Sequence, residues 1–253
     1  MQNTYVGDIG DFAKYGLLRA ICGDRRLGVA WYLHPSPEQT TGQHAGDVRH
    51  TKYLSDRNNW RDLDPQLFDT LRGLVRGGHR NVRGVEDSGL LGDARFAGEP
   101  LDIRGVPIAG RPTWRERWFE SVTNRLADCD LVFADPDNGL YPDERFRPTQ
   151  QVSAKRIPVA EVARLAVGRP AVIYHHNTRR PGGHPNEIQY WMQRLPGCRW
   201  AWYWRRWSSR TFFVLNPDTA IEQRLIAHAK RWRGHGDLHT PEEPVPAHSA
   251  RAD

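Results

Sequence analysis

The sequence predicts an α/β fold with a mostly parallel, seven-stranded sheet, helices on both faces and a C-terminal antiparallel hairpin. Three observations lead to this prediction. Short apolar runs that are typical of buried strands alternate with segments of helical spacing, and this alternation predicts a parallel sheet. One of these runs, residues 131–134, ends directly in an acidic loop at residues 135–138. Two β-rich runs, 198–207 and 210–215, are separated by two serines and predict the hairpin.

The N-terminal half is expected to contain two helices and one clear strand. Apolar residues at helical spacing predict a helix over residues 11–22, with Asp11 as its N-cap, and a second helix over residues 64–75. Residues 29–33 are apolar throughout and predict the first buried strand. Weaker strand predictions fall at residues 82–85 and 95–101.

A long polar segment follows the first strand. Residues 36–59 are rich in Gly, His and Asp. Loops of this length are usually functional or mobile, so we expect a long loop or an insertion here.

The C-terminal half alternates regularly. The same criteria predict helices over residues 113–126, 159–167, 185–195 and 219–232, and strands over residues 131–134 and 171–174. The chain beyond residue 234 is polar and rich in proline. We therefore expect a single α/β domain over residues 1–233 and a disordered tail over residues 234–253.

Membrane and disulfide patterns do not occur in the sequence. No apolar segment approaches the roughly 20 residues that cross a bilayer, and the first residues lack the pattern of a signal peptide. Cys22, Cys129 and Cys198 are far apart and show no CxxC spacing, so we expect reduced thiols. These features predict a cytoplasmic protein with no membrane partner and no metal.

The charge of the chain favours a polyanionic partner. The formal net charge is +6, and few of the 36 basic residues are lysine. The planar guanidinium group of arginine suits phosphate, so the composition predicts contact with nucleic acid. An arginine-rich proteome encoded by a GC-rich genome is the alternative explanation.

Four landmarks of the chain stand in the order of a known family. They are the stretch Tyr5-Val6-Gly7-Asp8-Ile9-Gly10-Asp11-Phe12-Ala13-Lys14-Tyr15, the loop Leu33-His34-Pro35, the tetrapeptide Asp135-Pro136-Asp137-Asn138 and the pair Asn216-Pro217 after the hairpin. Over residues 5–217 the chain resembles the large-ribosomal-RNA adenine-N6 methyltransferases. The resemblance implies a Rossmann-like methyltransferase fold, and the absence of GxGxxG after the first strand argues against a dehydrogenase.

The resemblance also implies a cofactor and its contacts. The cofactor is S-adenosylmethionine, and the substrate is an amine of a nucleic acid or nucleotide. Lys14 and His34 would face the cofactor, and Glu86, Asp87 or Glu99 would supply an acidic contact. The glycines before Lys14 permit close backbone approach to a ligand. The expected cofactor-binding residues are therefore Gly7, Asp8, Lys14, His34, Asp87 and Glu99.

The tetrapeptide supplies the expected catalytic residues Asp135, Pro136, Asp137 and Asn138. Such side chains at the carboxyl end of a buried strand lie at the edge where open α/β sheets bind ligands. Asp135 can accept a hydrogen bond from the target amine. Asn138 cannot stack on a base as the family's aromatic residue does, and Tyr141 is the nearest replacement. The alternative is a simple turn, because all these residue types favour turns.

The next strand ends in His175 and His176, which we expect beside the acidic loop as polar contacts to substrate. Arg179 and Arg180 follow in the next loop as candidates for phosphate contacts. With Asp135 and Asp137 the two histidines also suggest a metal site, so a metal-dependent nuclease or hydrolase is a rival hypothesis. A catalytically inactive nucleic-acid-binding protein of the same fold is a third.

Several tryptophans are concentrated in the predicted hairpin. Period-two spacing places Trp200, Trp202 and Trp204 on one face of the sheet. This pattern indicates core packing first and base stacking second. The neighbouring Arg205 and Arg206 are further candidates for phosphate contacts.

Overall fold

The computed structural model describes residues 1–35 and 48–241, and these residues contain nine strands and eight α-helices. The strands are β1 (Leu27–Ala30), β2 (Arg95–Ala97), β3 (Leu131–Ala134), β4 (Gly139–Tyr141), β5 (Arg156–Pro158), β6 (Ala171–His176), β7 (Cys198–Trp204), β8 (Arg210–Leu215) and β9 (Gly236–His239). The helices are α1 (Ile9–Cys22), α2 (Arg57–Trp60), α3 (Pro65–Arg76), α4 (Val82–Asp87), α5 (Arg111–Arg125), α6 (Val159–Leu165), α7 (Gly183–Arg194) and α8 (Thr219–Arg231).

Seven of the strands form one mixed sheet in the order β2-β1-β3-β6-β8-β7-β9. The pairs β2–β1, β1–β3 and β3–β6 are parallel, whereas β6–β8, β8–β7 and β7–β9 are antiparallel. The prediction of an α/β fold with a seven-stranded sheet and a C-terminal hairpin is confirmed. The prediction that the sheet is mostly parallel is wrong, because the hairpin and β9 make half of its pairings antiparallel. A separate two-stranded sheet pairs β4 with β5.

The C-terminal segment differs from the expectation. The structure places Gly236–His239 as β9 at the edge of the sheet, paired with β7. Disorder from residue 234 onward is therefore a wrong prediction for this segment. Residues 242–253 lie outside the described residues.

Two predictions in the N-terminal half are also corrected. Residues 82–85, expected as a strand, belong to helix α4, whose N-cap Asn81 accepts a hydrogen bond from the backbone nitrogen of Gly84. Of the expected loop over 36–59, residues 36–47 lie outside the described residues. The rest is largely helical, with a 3-10 helix at Val48–Ser55 before α2. The five helices predicted from residue 64 onward are confirmed to within one turn.

Helix α1 begins earlier than predicted. Its N-cap is Asp8, whose side chain accepts a hydrogen bond from the backbone nitrogen of Asp11 at 2.8 Å. Asp11 was expected to cap the helix, but it lies within the first turn and its carboxylate binds Lys14. Capping by Asp8 releases the Asp11 side chain for this ion pair.

Helices cover both faces of the sheet. The apolar residues of α1, α3, α4 and α8 pack on one face, and those of α5, α6 and α7 pack on the other. None of the helices in the described ranges has both the length and the apolar composition of a membrane span. All three cysteines are free thiols, as expected.

The tryptophans of β7 pack in the core. Trp202 and Trp204 are fully buried, and Trp200 packs against the same cluster. The prediction of core packing is therefore confirmed. Trp202 contacts both Trp232 and His228, with ring centroids 5.9 and 4.5 Å apart.

The buried His228 predicts a loss of stability in acid. Burial and the nearby Arg231 lower the pKa of His228 to about 3. Below pH 6.5 His228 is protonated in the unfolded chain but stays neutral in the folded chain. The free energy of unfolding therefore falls as the pH falls. Between about pH 7 and pH 5 the wild-type protein should lose about 2 kcal/mol more unfolding free energy than His228→Phe. Urea unfolding at both pH values measures this difference, and equal losses would contradict it.

Candidate functional site

A polar cavity of about 350 Å³ lies at the carboxyl ends of β3 and β6. The start of α1 and the start of β8 complete its wall. Its charged wall residues are Asp8, Asp11, Lys14, Asp135, Asp137, Lys155 and Arg210. A volume of this size is at the lower end of the range for small-molecule sites.

Sheet topology explains why a cavity forms here. The chain leaves β1 for β2 on one side and later crosses to β3 on the other side. The carboxyl ends of strands next to such a reversal are where open α/β sheets bind ligands. The first two residues cross this edge: the amino group of Met1 donates to the carbonyl oxygens of Tyr32 and Asp135 at 3.2 and 2.9 Å.

Lys14 forms the centre of a buried charge cluster. Its Nζ lies 2.7 Å from Asp11 Oδ1 and 2.7 Å from Asp135 Oδ2, and all three side chains are almost fully buried. Burial opposes the charged form of Lys14, but Asp11 and Asp135 raise its pKa well above the ordinary value. Lys14 is therefore a fixed ammonium group and not a base.

Asp11 has the opposite balance. Burial raises the pKa of the Asp11 carboxyl to about 6, although the Lys14 ammonium opposes this shift and Asp8 adds to it. The Asp11 carboxylate also accepts a hydrogen bond from the backbone nitrogen of Gly7. Gly7 thus holds the charge cluster together, and its carbonyl oxygen accepts from Tyr53 Oη.

Arg210 is the second buried cation of the wall. Its Nη2 donates to Asp8 Oδ2 at 2.8 Å, and its Nε donates to Tyr174 Oη at 3.3 Å. The guanidinium group lies directly on Gly10, where an added Cβ atom would be 1.6 Å from Nη1. Gly10 therefore makes room for Arg210, whereas the sequence had suggested that the glycines make room for a ligand.

Arg210 and Ser208 of the cavity wall each carry a polar atom without a partner among the described residues. Arg210 Nη1 and Ser208 Oγ are buried and make no hydrogen bond within the described part of the chain. A buried donor without a partner costs about 1–3 kcal/mol, and more for a charged group. Both residues line the cavity, and a bound water or ligand is the kind of partner that would recover this free energy.

The acidic loop carries two carboxylates: Asp135 is buried and Asp137 is half-buried. Asp137 Oδ2 accepts from Gln2 Nε2 at 2.6 Å and lies 3.1 Å from Lys155 Nζ. Burial acts to raise the pKa of Asp137, but the N-terminal ammonium, Gln2 and Lys155 hold it below its ordinary value. Pro136 is buried, whereas Asn138 is exposed.

Gly139 closes this loop with a positive φ of +89°. An added Cβ atom would lie 2.5 Å from His175 Nδ1, so only glycine fits between the loop and β6. The next residue, Leu140, donates its backbone nitrogen to the same His175 Nδ1 at 3.0 Å.

The two histidines of β6 face opposite sides of the sheet. His176 lies in the cavity wall with Tyr174, whose Oη is 3.3 Å from His176 Nδ1. Burial and Arg210 lower the pKa of His176, and burial raises the pKa of Tyr174 to about 12. His175 is buried on the other side, where its Nε2 contacts Glu187 Oε1 at 3.2 Å. His175 therefore connects β6 to Leu140 and Glu187 and does not line the cavity.

Several other predicted site residues lie outside the cavity wall. Asp87 and Glu99 are exposed, and Asp87 pairs with Arg83 on the surface of α4. The Arg156 guanidinium lies over the ring of Tyr141, with its central carbon 4.0 Å from the ring centroid. Arg179 and Arg180 are exposed in the loop after β6, and His34 contacts Met1 through its backbone without lining the cavity.

The sequence prediction missed other residues of the wall. They include Lys155, Tyr174, Ser208 and Arg210. Period-two alternation along β6 was the available signal for Tyr174, because it places this residue on the same side as His176. No comparable signal existed for Arg210, whose partner Asp8 lies 202 residues away.

The residues of the metal hypothesis do not converge. Both ring nitrogens of His175 are used by Leu140 and Glu187 on the far side of β6. Within residues 1–35 and 48–241, no three His, Cys, Asp or Glu side chains are arranged to hold a metal ion. The geometry therefore gives no support to the proposed set of Asp135, Asp137, His175 and His176.

Similarity to known proteins does not identify the site. No protein-family model matches the sequence, and no curated protein matches it. The functional assignment therefore depends on the geometry of the cavity.

Proposed function

We propose that this protein is an S-adenosylmethionine-dependent methyltransferase that acts on an amine of a nucleic acid or nucleotide. The observation that carries the proposal is the position of Asp135 at the end of β3, an interior strand of the sheet. Lys14 fixes its Oδ2, and its Oδ1 has no hydrogen-bond partner among the described residues. Asp135 can thus present one carboxylate oxygen to a ligand.

The order of the strands supports a Rossmann-like methyltransferase fold. β8 runs opposite to both of its neighbours, so β6 and β7 point in the same direction as the three strands before them. The expected fold has a closing hairpin with one antiparallel strand at the sheet edge; here that strand, β8, lies between β6 and β7. β9 is an addition to this arrangement.

The cavity residues fit the methionyl end of the cofactor, which carries both a carboxylate and an ammonium group. Arg210 is a cation of the cavity wall and suits the carboxylate, and Asp137 suits the ammonium group. Asp87 and Glu99 lie outside the cavity, so we do not assign them to the cofactor. When bound, S-adenosylmethionine supplies a methyl group on a sulfonium centre.

The residues of the wall would then have separate tasks. Methyl transfer to a neutral amine requires alignment more than strong acid–base chemistry. Asp135 accepts a hydrogen bond from the amine and orients it, and the Lys14 ammonium keeps Asp135 in place. The lowered pKa of His176 leaves its imidazole neutral at pH 7, so it can accept the proton that the amine releases.

Isothermal titration calorimetry tests the cofactor assignment directly. We expect S-adenosylmethionine and its demethylated product to bind with a stoichiometry of one. Arg210→Gln should weaken binding about 10- to 100-fold, because a hydrogen bond to a charged group contributes about 1.5–3 kcal/mol. Absence of binding to the wild-type protein would overturn the proposal.

A double variant controls for folding. Arg210→Gln alone leaves the buried Asp8 carboxylate without its cation. Asp8→Asn combined with Arg210→Gln removes both charges and retains an N-cap residue for α1. The double variant should fold by circular dichroism and show the same weakened binding. Asp87→Asn, a change on the exposed surface, should bind the cofactor like the wild type.

A further inference from the structure

One large aromatic side chain stands out at the edge of the cavity. Trp207 lies between β7 and β8, next to Ser208 of the cavity wall, and 54% of its surface is exposed. Its ring contacts Trp60 at an interplanar angle of 42°, with centroids 6.1 Å apart. Its backbone has φ of +60°, a left-handed conformation that is uncommon for a bulky residue. Such strain is typical of functional positions.

The loop that contains Trp207 and the loop after β6 are both rich in arginine. We call residues 177–182 and 205–209 the rim loops; they contain four arginines and no acidic residue. Arg205 pairs with Asp237, and Arg180 stacks on Tyr190. Within the described ranges Arg179 and Arg206 have no carboxylate partner, and Arg206 donates only to the carbonyl oxygen of Gly234.

The rim loops meet at the mouth of the cavity. The backbone nitrogen of Asn177 donates to the carbonyl oxygen of Ser209 at 3.0 Å. The residue before the first loop, His176, and Ser208 within the second both line the cavity. Trp207 and the arginines of the rim loops therefore lie within four residues of His176 or Ser208 in the cavity wall.

We propose that the rim loops bind a single-stranded segment of nucleic acid, with one base stacked on Trp207 and the backbone phosphates on Arg179 and Arg206. This inference deepens the proposed function and rests on it for the role of the cavity. Base stacking on an aromatic ring combined with arginine contacts is the usual mode of single-strand binding. Bases within a duplex are already stacked on both sides, so an exposed indole selects unpaired bases.

Fluorescence anisotropy with labelled oligonucleotides of about 12 nucleotides tests the inference. Single-stranded RNA, single-stranded DNA and a duplex of the same sequence are compared without cofactor. We expect either single strand, or both, to bind at least about tenfold more tightly than the duplex. Trp207→Ala should weaken this binding about 5- to 150-fold, since stacking contributes about 1–3 kcal/mol per base, and Trp207→Phe should retain most of it.

Salt dependence separates the arginine contacts from stacking. The double variant Arg179→Gln/Arg206→Gln should reduce the slope of log K against log salt by about 1.4, or about 0.7 for each phosphate contact. Trp207→Ala should leave the slope unchanged. Ile108→Ala and Arg83→Gln, both on exposed surface away from the rim loops, are the matched controls and should bind like the wild type.

The outcomes distinguish this inference from the proposed function. Equal binding to duplex and single strand, no effect of Trp207→Ala, or preferential binding to anionic lipid vesicles would overturn it. If the protein binds S-adenosylmethionine but shows no preference for single strands, only the single-strand inference is wrong. If the protein binds single strands through Trp207 but binds no cofactor, the single-strand surface is supported and the methyltransferase assignment is wrong.

Discussion

Lys14→Met is expected to destabilise the protein by about 3–5 kcal/mol, because it leaves Asp11 and Asp135 as buried carboxylates without a cation. The Lys14 side chain is only 3% exposed, and its ammonium group is paired with both carboxylates at 2.7 Å. Urea unfolding at pH 7 gives the free energy of unfolding. A loss of this size is a large part of the total stability of an ordinary domain.

Lys155→Met is the matched control for this prediction. The Lys155 side chain is 29% exposed and pairs with Asp137 at 3.1 Å on the other side of the same cavity. A partly solvated pair of this kind contributes about 0–1 kcal/mol, so this variant should remain close to the wild type. The triple variant Lys14→Met/Asp11→Asn/Asp135→Asn should regain much of the stability lost by Lys14→Met, because no unpaired charge remains. Equal destabilisation by the two lysine substitutions would contradict the role of the buried cluster.

The sequence predicted best those elements whose structure depends on residues close to one another along the chain. The apolar run of β3 has the predicted bounds at residues 131–134 because four buried positions and a following acidic loop define both of its ends. Helix α3 was predicted from its spacing for the same reason, and Asp64 caps it by accepting from the backbone nitrogen of Leu67. Lys14 was assigned to the site through a short motif at the start of a helix.

Long-range pairing could not be predicted in the same way. β9 contains Gly236, Asp237, Leu238 and His239, a polar sequence without strand character. Its backbone hydrogen bonds to β7 define it as a strand, and only the folded sheet provides that partner. The ion pair between Arg210 and Asp8 depends equally on the arrangement of the whole sheet.

The error at β6 had a local signal. Consecutive residues of a strand point to opposite faces, so His175 and His176 could not both reach one cavity. Because β6 continues to His176, this alternation extends through both histidines. The prediction gave the strand residues 171–174 and placed both histidines at its end, without extending the alternation through them.

Asp135→Asn should reduce methyl transfer about 100-fold while binding of S-adenosylmethionine changes little. Asparagine has the shape of aspartate, but it presents an amide where the carboxylate would orient the amine, and such misalignment costs about 100-fold in rate. Transfer of a labelled methyl group to single-stranded oligonucleotides measures the effect. The loss should appear in kcat, because orientation contributes mainly in the transition state.

Two comparisons decide what this result means. Asp87→Asn removes a carboxylate whose side chain is 71% exposed on α4, so it should retain full activity. Calorimetry of Asp135→Asn with the cofactor separates a lost orientation from a lost fold, since the variant also removes one of the two partners of Lys14. If Asp135→Asn transfers methyl groups at the wild-type rate, the loop at residues 135–138 is a structural turn. The catalytic role would then have to be sought at His176, the neutral imidazole on the same wall.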